Sequence, residues 1–206
     1  EMFMNDKWGR NFLGTPPQGR ADYAFFQHIL ASMDEKNGRC AILFPHGVLG
    51  RFAEDAMRSK LVEMDIIDAI IGIGKNLFYN SAMEACIIIC NMNKPSSKKG
   101  KLLFINAKEL VTRKNSESYL EQSHINEIIK LYNDYNNGEH SSVVSIETIR
   151  NNNYKLNVGF YAKSNKFKGY IGFNETIISL QESSKQLHKE IDSLMILMNN
   201  SNESKI

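Results

Sequence analysis

Short apolar runs separated by more polar, helix-forming segments constrain what this chain can fold into. The runs lie at residues 39–44, 65–73, 85–91 and 101–105. Continuous apolar runs of this length are typical of strands buried on both faces of a sheet. Predicted helices at 22–33 and 53–63 flank the first run, so the order of elements predicts an α/β sheet with helices on its faces. The short link between the second and third strands allows an antiparallel pair at one end of that sheet.

Beyond residue 106 the chain becomes polar and its elements become less distinct. A helix is predicted over 123–135, with Ser123 as its cap. Its predicted apolar face consists of Ile125, Ile128, Ile129 and Tyr132. The segment 143–149 is ambiguous between strand and helix, and 151–173 is predicted to be irregular. We therefore divide the chain into a sheet region at 1–110, a mixed and partly helical extension at 111–173, and a C-terminal segment at 174–206.

The C-terminal segment carries apolar residues at alternating spacings of three and four. They are Ile177, Leu180, Leu187, Ile191, Leu194 and Met198, with Ser184 as the one polar gap. This spacing is that of a heptad seam. A lone helix of this length cannot bury such a stripe in water. Two interpretations remain open, namely packing on the parent domain and a coiled-coil contact with another subunit.

Charge and composition exclude several classes of function. Lys and Arg number 25 against 23 Asp and Glu, a net charge of +2, so any contact with nucleic acid must be local. No apolar run approaches the 18 or so residues of a membrane span, and the first residues do not form a signal peptide. Cys40, Cys86 and Cys90 lie in apolar runs and are interpreted as buried thiols in a reducing cytosol. We therefore predict a cytoplasmic protein.

Several chemical templates fail. The sequence contains no glycine-rich phosphate loop, and its five histidines have no Cys or His at zinc-ligand spacing. Asp65 and Asp68 begin a predicted strand, but nothing in the sequence supplies the convergent geometry of a paired-carboxylate site. No metal site is predicted.

Two loops remain as candidate sites. One is the turn at 44–51 after the first strand, where ligands gather in an open α/β sheet, although Pro and Gly are also ordinary turn residues. The other, at 74–81, places Phe78 and Tyr79 next to each other in a polar loop. An aromatic ring there would stack on a planar base, whereas the alternative is that Phe78 packs in the core and Tyr79 lies on the surface. Arg10, Arg51 and Lys75 are candidate phosphate contacts, or simply solvated charges.

A run of motifs resembles the methylation (M) subunit of type I restriction–modification systems. The resemblance covers about residues 5–161, with its motifs in order and at fitting intervals. The motifs are Lys7-Trp8, Pro16-Pro17, the run from Ala21 to Leu30, Gly38-Arg39, the run from Phe44 to Leu49, Ile70-Ile71-Gly72-Ile73, Asn76-Leu77-Phe78-Tyr79, the run from Lys99 to Ala107, and Asn153-Tyr154-Lys155-Leu156-Asn157.

The resemblance implies N6-adenine methylation of DNA with S-adenosylmethionine as the methyl donor. It implies that the target adenine leaves the duplex and is held by the aromatic loop, with Phe78 as first choice and Tyr79 as second. It places Asp22 and Phe25 beside the adenine of the cofactor. The implied partners are DNA, a specificity subunit that docks on the C-terminal helix, and a restriction subunit.

The sequence departs from the family at its catalytic motif. The family uses Asn-Pro-Pro-Phe, whereas the one Pro-Pro here lies between Thr15 and Gln18. The glycine-containing cofactor loop and the acidic residue for the ribose are also absent. No catalytic residue is therefore assigned within the chain, and the catalytic motif is expected upstream of Glu1.

We thus expect the C-terminal part of a Rossmann-like, S-adenosylmethionine-dependent methyltransferase sheet, followed by a helical C-terminal extension and beginning just after the catalytic motif. This part alone is expected to be inactive. The alternatives are a non-catalytic interaction module or truncated remnant that docks a specificity subunit and, less well supported, an unrelated α/β nucleotide-binding enzyme.

Overall fold

The computed structural model describes residues 5–79, 81–114, 117–163, 180–181, 183–191 and 195. The catalytic motif is expected upstream of Glu1, which lies outside the described residues. Residues up to 165 belong to one compact unit and residues from 166 onward to a second. In the first unit the helices are α1 (Asp22–Ala31), α2 (Asp55–Glu63), α3 (Gln122–Asp134), α4 (Ile146–Asn151) and α5 (Val158–Tyr161). The strands are β1 (Arg39–Pro45), β2 (Ile67–Ile73), β3 (Ala85–Asn91), β4 (Lys101–Ala107), β5 (Thr112–Lys114), β6 (Glu117–Tyr119) and β7 (Ser141–Ser145).

The main sheet is mixed and has the strand order β1-β3-β2-β4-β7. Strands β2 and β4 are parallel, and the other neighbouring pairs are antiparallel. Because β1 and β2 are both antiparallel to β3, the strands β1, β2 and β4 all point the same way. The predicted antiparallel pairing of the second and third strands is confirmed, but the pair lies inside the sheet rather than at one end, because β1 pairs with the other side of β3. A mixed α/β fold is therefore present.

Two apolar clusters lie on opposite faces of this sheet. The larger one joins β1, β2, β3 and β4 to α1, α2, α4 and α5 through buried residues such as Phe26, Leu61, Ile70 and Phe104. The smaller one includes Ile71, Leu103 and Ile105, and α3 packs against it. Burying large aliphatic and aromatic side chains contributes about 1.5–3 kcal/mol each relative to exposure, so the larger cluster anchors four helices to one face.

Helix α3 differs from its predicted form in cap and in face. Glu121, not Ser123, is its N-cap, in a capping box with His124. Its predicted apolar face is partly wrong, since Ile129 is 51 % exposed and Leu131 and Tyr135 face the sheet instead. The reason is that Tyr132 and Tyr135 donate hydrogen bonds from their hydroxyls to Asp68 and its backbone carbonyl, which fixes the rotation of the helix.

The polar region after residue 106 contains more regular structure than its composition suggests. The ambiguous segment divides into β7, which pairs with β4, and α4, which Ser145 caps through the N–H of Thr148. Within the segment predicted to be irregular, Val158–Tyr161 is helical. The predicted boundary at residue 110 thus falls inside the first unit, because β7 extends the main sheet.

The second unit is helical at residues 180–181, 183–191 and 195. Leu180, Leu187 and Ile191, three members of the predicted heptad seam, are exposed. Ile177, Leu194 and Met198 lie outside the described residues. Over the parts of the chain that the structure describes, no helix is both long and apolar enough to cross a membrane.

Candidate base-binding site

The carboxyl ends of β1, β2 and β4 meet at one edge of the main sheet, and this edge holds the candidate site. The backbone N–H of His46, just after β1, donates to the carbonyl of Glu84 over 3.1 Å. Lys108, just after β4, forms a 2.5 Å ion pair with the Glu84 carboxylate. The loop after β2 begins at Gly74, where a Cβ would lie 2.6 Å from the carbonyl oxygen of Lys108. Only glycine fits this approach, so the loop leaves the sheet at a fixed place.

The charged residues at this edge influence one another. Burial disfavours the charged form of Glu84, but the hydrogen bond and the charge of Lys108 hold the pKa of this carboxyl below its usual range. Burial lowers the pKa of His46, Lys108 lowers it further and Glu84 opposes them. The Nε2 atom of His46 is buried and has no hydrogen-bond partner among the residues that the structure describes. His46 is therefore neutral at pH 7 in this setting.

The loop after β2 presents two aromatic residues in different ways. Leu77 packs against the smaller apolar cluster, whereas Phe78 is 37 % exposed and Tyr79 is 98 % exposed. The N–H of Ser81 donates to the carbonyl of Phe78 over 3.1 Å, which closes a tight turn. Tyr79 stands within that turn, and the backbone of Asn76 before it is left-handed, with φ of 59°. Leu77, not Phe78, thus anchors the loop in the core.

A cavity of about 560 Å³ opens beside this loop. It is lined by Asn76, Leu77, Phe78, Tyr79, Ser81, Ala82, Glu117 and Ser118. Its volume lies within the range of about 300–1,000 Å³ that is usual for small-molecule sites. The second wall comes from the β5–β6 hairpin, where the N–H of Ser118 donates to the carbonyl of Asn76 over 2.8 Å. The sequence-based interpretation missed Glu117 and Ser118, because three-residue polar strands carry no apolar pattern.

The predicted cofactor residues lie on α1. Asp22 is in its first turn, and Phe25, one turn later, is 64 % exposed. Residues three apart share a helix face. The Asp22 carboxylate accepts a 2.6 Å hydrogen bond from Nη1 of Arg51. Asp22 and Phe25 thus place a carboxylate and an exposed aromatic ring side by side on the helix.

Of the three predicted phosphate contacts, Lys75 and Arg51 differ most in their surroundings. Lys75 is exposed in the loop after β2, directly before the residues that line the cavity. Arg51 forms ion pairs with Asp22 at 2.6 Å and with Glu54 at 3.3 Å. Arg10 is exposed in the N-terminal segment, where its backbone N–H interacts with Asp6. The structure thus assembles Lys75 with the aromatic loop and Arg51 with the carboxylates near α1.

Glu54 is a further buried acid that the sequence-based interpretation missed. Its side chain is fully buried beside Arg51, and burial raises its pKa. Its neighbour Arg58 is also fully buried and donates to the backbone carbonyls of Tyr154 and Arg51, at 2.8 and 3.1 Å. These bonds fix the loop after β1 against the chain that follows α4. Among the described residues, no group of three or more His, Cys, Asp or Glu side chains could hold a metal ion.

Comparison with known proteins identifies the family. The family model described as N-6 DNA Methylase matches residues 1–169. The chain is 35 % identical over 188 residues to the type I restriction enzyme MjaVII methylase subunit of Methanocaldococcus jannaschii, covering 88 % of this chain and 32 % of that protein. It is 27 % identical over 184 residues to the MpnII methylase subunit of Mycoplasma pneumoniae, covering 87 % and 33 %.

A solved structure supports the same assignment. The type I restriction-modification methyltransferase subunit from Streptococcus thermophilus superposes with a TM-score of 0.72 at 30 % identity, over 79 % of this chain and 35 % of that one. The chain therefore spans about a third of the length of the relatives that it matches. Since the family model covers most of the sequence, the chain belongs to the N-6 DNA methylase family, whose members similar to it are methylase subunits of type I restriction enzymes.

Proposed function

We propose that this chain is the part of an adenine-N6 DNA methyltransferase subunit, of the type I restriction–modification kind, that receives the target base. The observation that carries the proposal is the cavity beside Phe78 and Tyr79, at the carboxyl edge of the sheet. Its sheet is then the C-terminal part of a Rossmann-like methyltransferase sheet. The site of such an enzyme is expected at this edge.

The cavity suits an extruded base for two physical reasons. The amino group of adenine is out of reach while the base is stacked in a duplex, so an enzyme that modifies it must take the base out. Stacking on an aromatic ring contributes about 1–3 kcal/mol per base to the binding free energy. Phe78 and Tyr79 both line the cavity, but Phe78 follows the anchored Leu77 and is 37 % exposed, whereas Tyr79 is 98 % exposed. Phe78 is therefore the first choice for the stacking ring and Tyr79 the second.

The residues on α1 fit part of an S-adenosylmethionine site. The exposed ring of Phe25 offers a face for the adenine of the cofactor, and Asp22 is oriented by Arg51 beside it. When bound, the cofactor supplies the methyl group.

No residue of this chain is proposed as catalytic. The 206 residues contain neither the glycine-containing cofactor loop nor Asn-Pro-Pro-Phe, and the place of that motif upstream of Glu1 stays a prediction. We therefore propose that the chain alone does not transfer methyl groups. A transfer assay with radiolabelled donor should give no turnover above background, and turnover would refute this.

Contact with DNA phosphate is assigned to Lys75. It is exposed one residue before the cavity, whereas Arg51 is engaged by two carboxylates and is assigned the positioning of Asp22. Arg10 remains a candidate at the protein surface. Replacing a phosphate-contacting lysine lowers the slope of log affinity against log salt by about 1. Lys75→Gln should lower this slope. Lys36→Gln should leave it unchanged, because Lys36 lies in the exposed turn before β1, at the opposite end of the strands.

The partners proposed are DNA, a specificity subunit and a restriction subunit, in the cytoplasm. The exposed Leu187 on the C-terminal helix suits docking of the specificity subunit. Leu187→Asp should weaken that complex in size-exclusion chromatography, and an unchanged elution profile would contradict the assignment. Should the chain dock a specificity subunit and yet bind no base, the alternative of a non-catalytic interaction module would replace the proposal.

The base-binding proposal is tested by comparing two labelled duplexes in fluorescence anisotropy. One contains an adenine opposite an abasic site, which is easily extruded, and the other is fully paired. We expect tighter binding of the first. Phe78→Leu should reduce this preference about 5- to 150-fold, the equivalent of 1–3 kcal/mol of stacking. Phe52→Leu is the matched control, because Phe52 is 89 % exposed and lies outside the cavity. Equal binding of the two duplexes by the unaltered chain would overturn the proposal.

A further inference from the structure

Cys40 and Cys90 lie directly opposite each other on the antiparallel strands β1 and β3. The sequence-based interpretation treated all three cysteines as buried thiols. Cys86 and Cys90 are buried, but Cys40 is only partly buried, so this interpretation is wrong for Cys40. One residue of the opposed pair is thus partly exposed while the other is buried in the core.

The hydrogen-bond pattern of the β1–β3 ladder fixes the separation of the two backbones. The N–H of Met92 donates to the carbonyl of Gly38, and the N–H of His46 donates to that of Glu84. Hydrogen-bonded and non-hydrogen-bonded pairs alternate along an antiparallel ladder. Cys40 lies two residues after Gly38 and six before His46, both of which are in hydrogen-bonded pairs. The Cys40–Cys90 pair is therefore a hydrogen-bonded pair as well. The Cα atoms of such a pair are about 5.5 Å apart, within the range found in disulfides, and the Cβ atoms, about 4.5–5.5 Å apart, have to approach to about 3.8 Å for the bond to form.

The two thiols also interact with each other. A hydrogen bond from Cys90 lowers the pKa of Cys40 to about 7, although partial burial opposes the shift. The same bond and the burial of Cys90 raise the pKa of the Cys90 thiol. Cys40 is therefore partly thiolate at neutral pH, the form that reacts with oxidants, and Cys90 remains protonated beside it.

We propose that Cys40 and Cys90 form a reversible, peroxide-sensitive disulfide that links β1 to β3. The Cys40 thiolate attacks a peroxide oxygen, the S–O bond forms as the O–O bond breaks, and the departing oxygen takes up a proton. Cys40 is then a sulfenic acid. Cys90 attacks that sulfur, the S–S bond forms, the S–O bond breaks, and the hydroxide leaves as water with the proton of Cys90. In total, two thiols and one peroxide give a disulfide, an alcohol or water, and water.

Cys86 provides an internal control. It lies on the same strand as Cys90 but four residues away, which is about 13 Å along an extended strand and too far for a bond. In an unfolded chain the preference reverses, because the short loop between Cys86 and Cys90 closes more readily than the long loop between Cys40 and Cys90. The identity of the linked pair therefore reports on the register of the folded sheet.

The test treats the folded 206-residue chain with equimolar hydrogen peroxide, then denatures it, alkylates the free thiols and maps the peptides by mass spectrometry. We expect two of the three thiols to be lost, a Cys40–Cys90 link lighter by two hydrogen atoms, and full recovery with a dithiol reductant. The Cys86→Ser variant should form the same link. The Cys90→Ser variant should stop at a sulfenic acid on Cys40 that dimedone traps.

Four outcomes would overturn the proposal. They are three free thiols after treatment, a link that includes Cys86 in the folded chain, a disulfide between two molecules, and oxidation of Cys40 beyond the sulfenic acid while Cys90 stays free. Oxidation of the chain in denaturant, where Cys86–Cys90 should be the main link, verifies that the method can detect the alternative.

Discussion

Strands β1 and β2 have similar lengths and apolar character, yet their side chains are buried to different extents. Leu43, Ile87, Ile71 and Ile105 form one row across β1, β3, β2 and β4. In that row Leu43 is 50 % exposed, whereas Ile71 is 4 % and Ile105 0 % exposed. Helix α3 packs against the cluster that contains Ile71 and Ile105. The comparison shows that position in the sheet, rather than apolar character, decides how deeply each strand is buried.

The sharpest way to break this comparison uses two leucines that face the same side of the sheet. Leu103 in β4 is fully buried under α3 and Leu43 in β1 is half exposed. Leu103→Ala should lower the free energy of unfolding by about 3 kcal/mol, because it removes buried methyl groups and leaves a cavity. Leu43→Ala should cost less than about 1 kcal/mol. Urea denaturation measures both, and equal losses would show that β1 is as buried as β4.

A smaller effect is expected where the central strand meets α5. A Cβ on Gly72 in β2 would lie 3.2 Å from Cβ of Val158, tighter than ordinary contact. Gly72→Ala should therefore destabilise the fold by about 1 kcal/mol through overpacking. Gly159→Ala, in α5 with open space around its Cα, is the matched control and should stabilise the fold by about 0.5–1 kcal/mol. Stabilisation by both substitutions would mean that α5 packs loosely on β2.

The smallest expected effect concerns pH at the carboxyl end of β1. Burial holds the pKa of His46 below its ordinary value, so the unfolded chain binds this proton more readily than the folded one. The contribution of His46 to stability is therefore full above its unfolded pKa of about 6.5 and is lost as pH falls through the lower folded pKa. His46→Gln should flatten this part of the pH profile by less than about 1 kcal/mol, since the residue is only partly buried and solvent screens its charge. A steeper acid loss in the variant would contradict the assignment.

The sequence predicted the four long strands well and the surroundings of the site poorly. Apolar runs such as 85–91 predict strands because their uninterrupted apolar side chains can be buried on both faces of a sheet. The hairpin Thr112–Lys114 and Glu117–Tyr119 has no such run, and tertiary contact with Asn76 holds it in place. Phe78 and Tyr79 were predicted as site residues from the loop and the family resemblance. Their different exposure follows from the anchoring of Leu77, which composition does not reveal.

The most direct test of the central claim is to map where an unpaired adenine contacts the protein. Titrating an adenine-containing trinucleotide into ¹⁵N-labelled chain should shift the backbone amide signals of Asn76 to Tyr79 and of Ser118, and Phe78→Leu should abolish these shifts. Shifts confined to Asp22 and Phe25, or no shifts in the cavity at concentrations where DNA binds, would contradict the account.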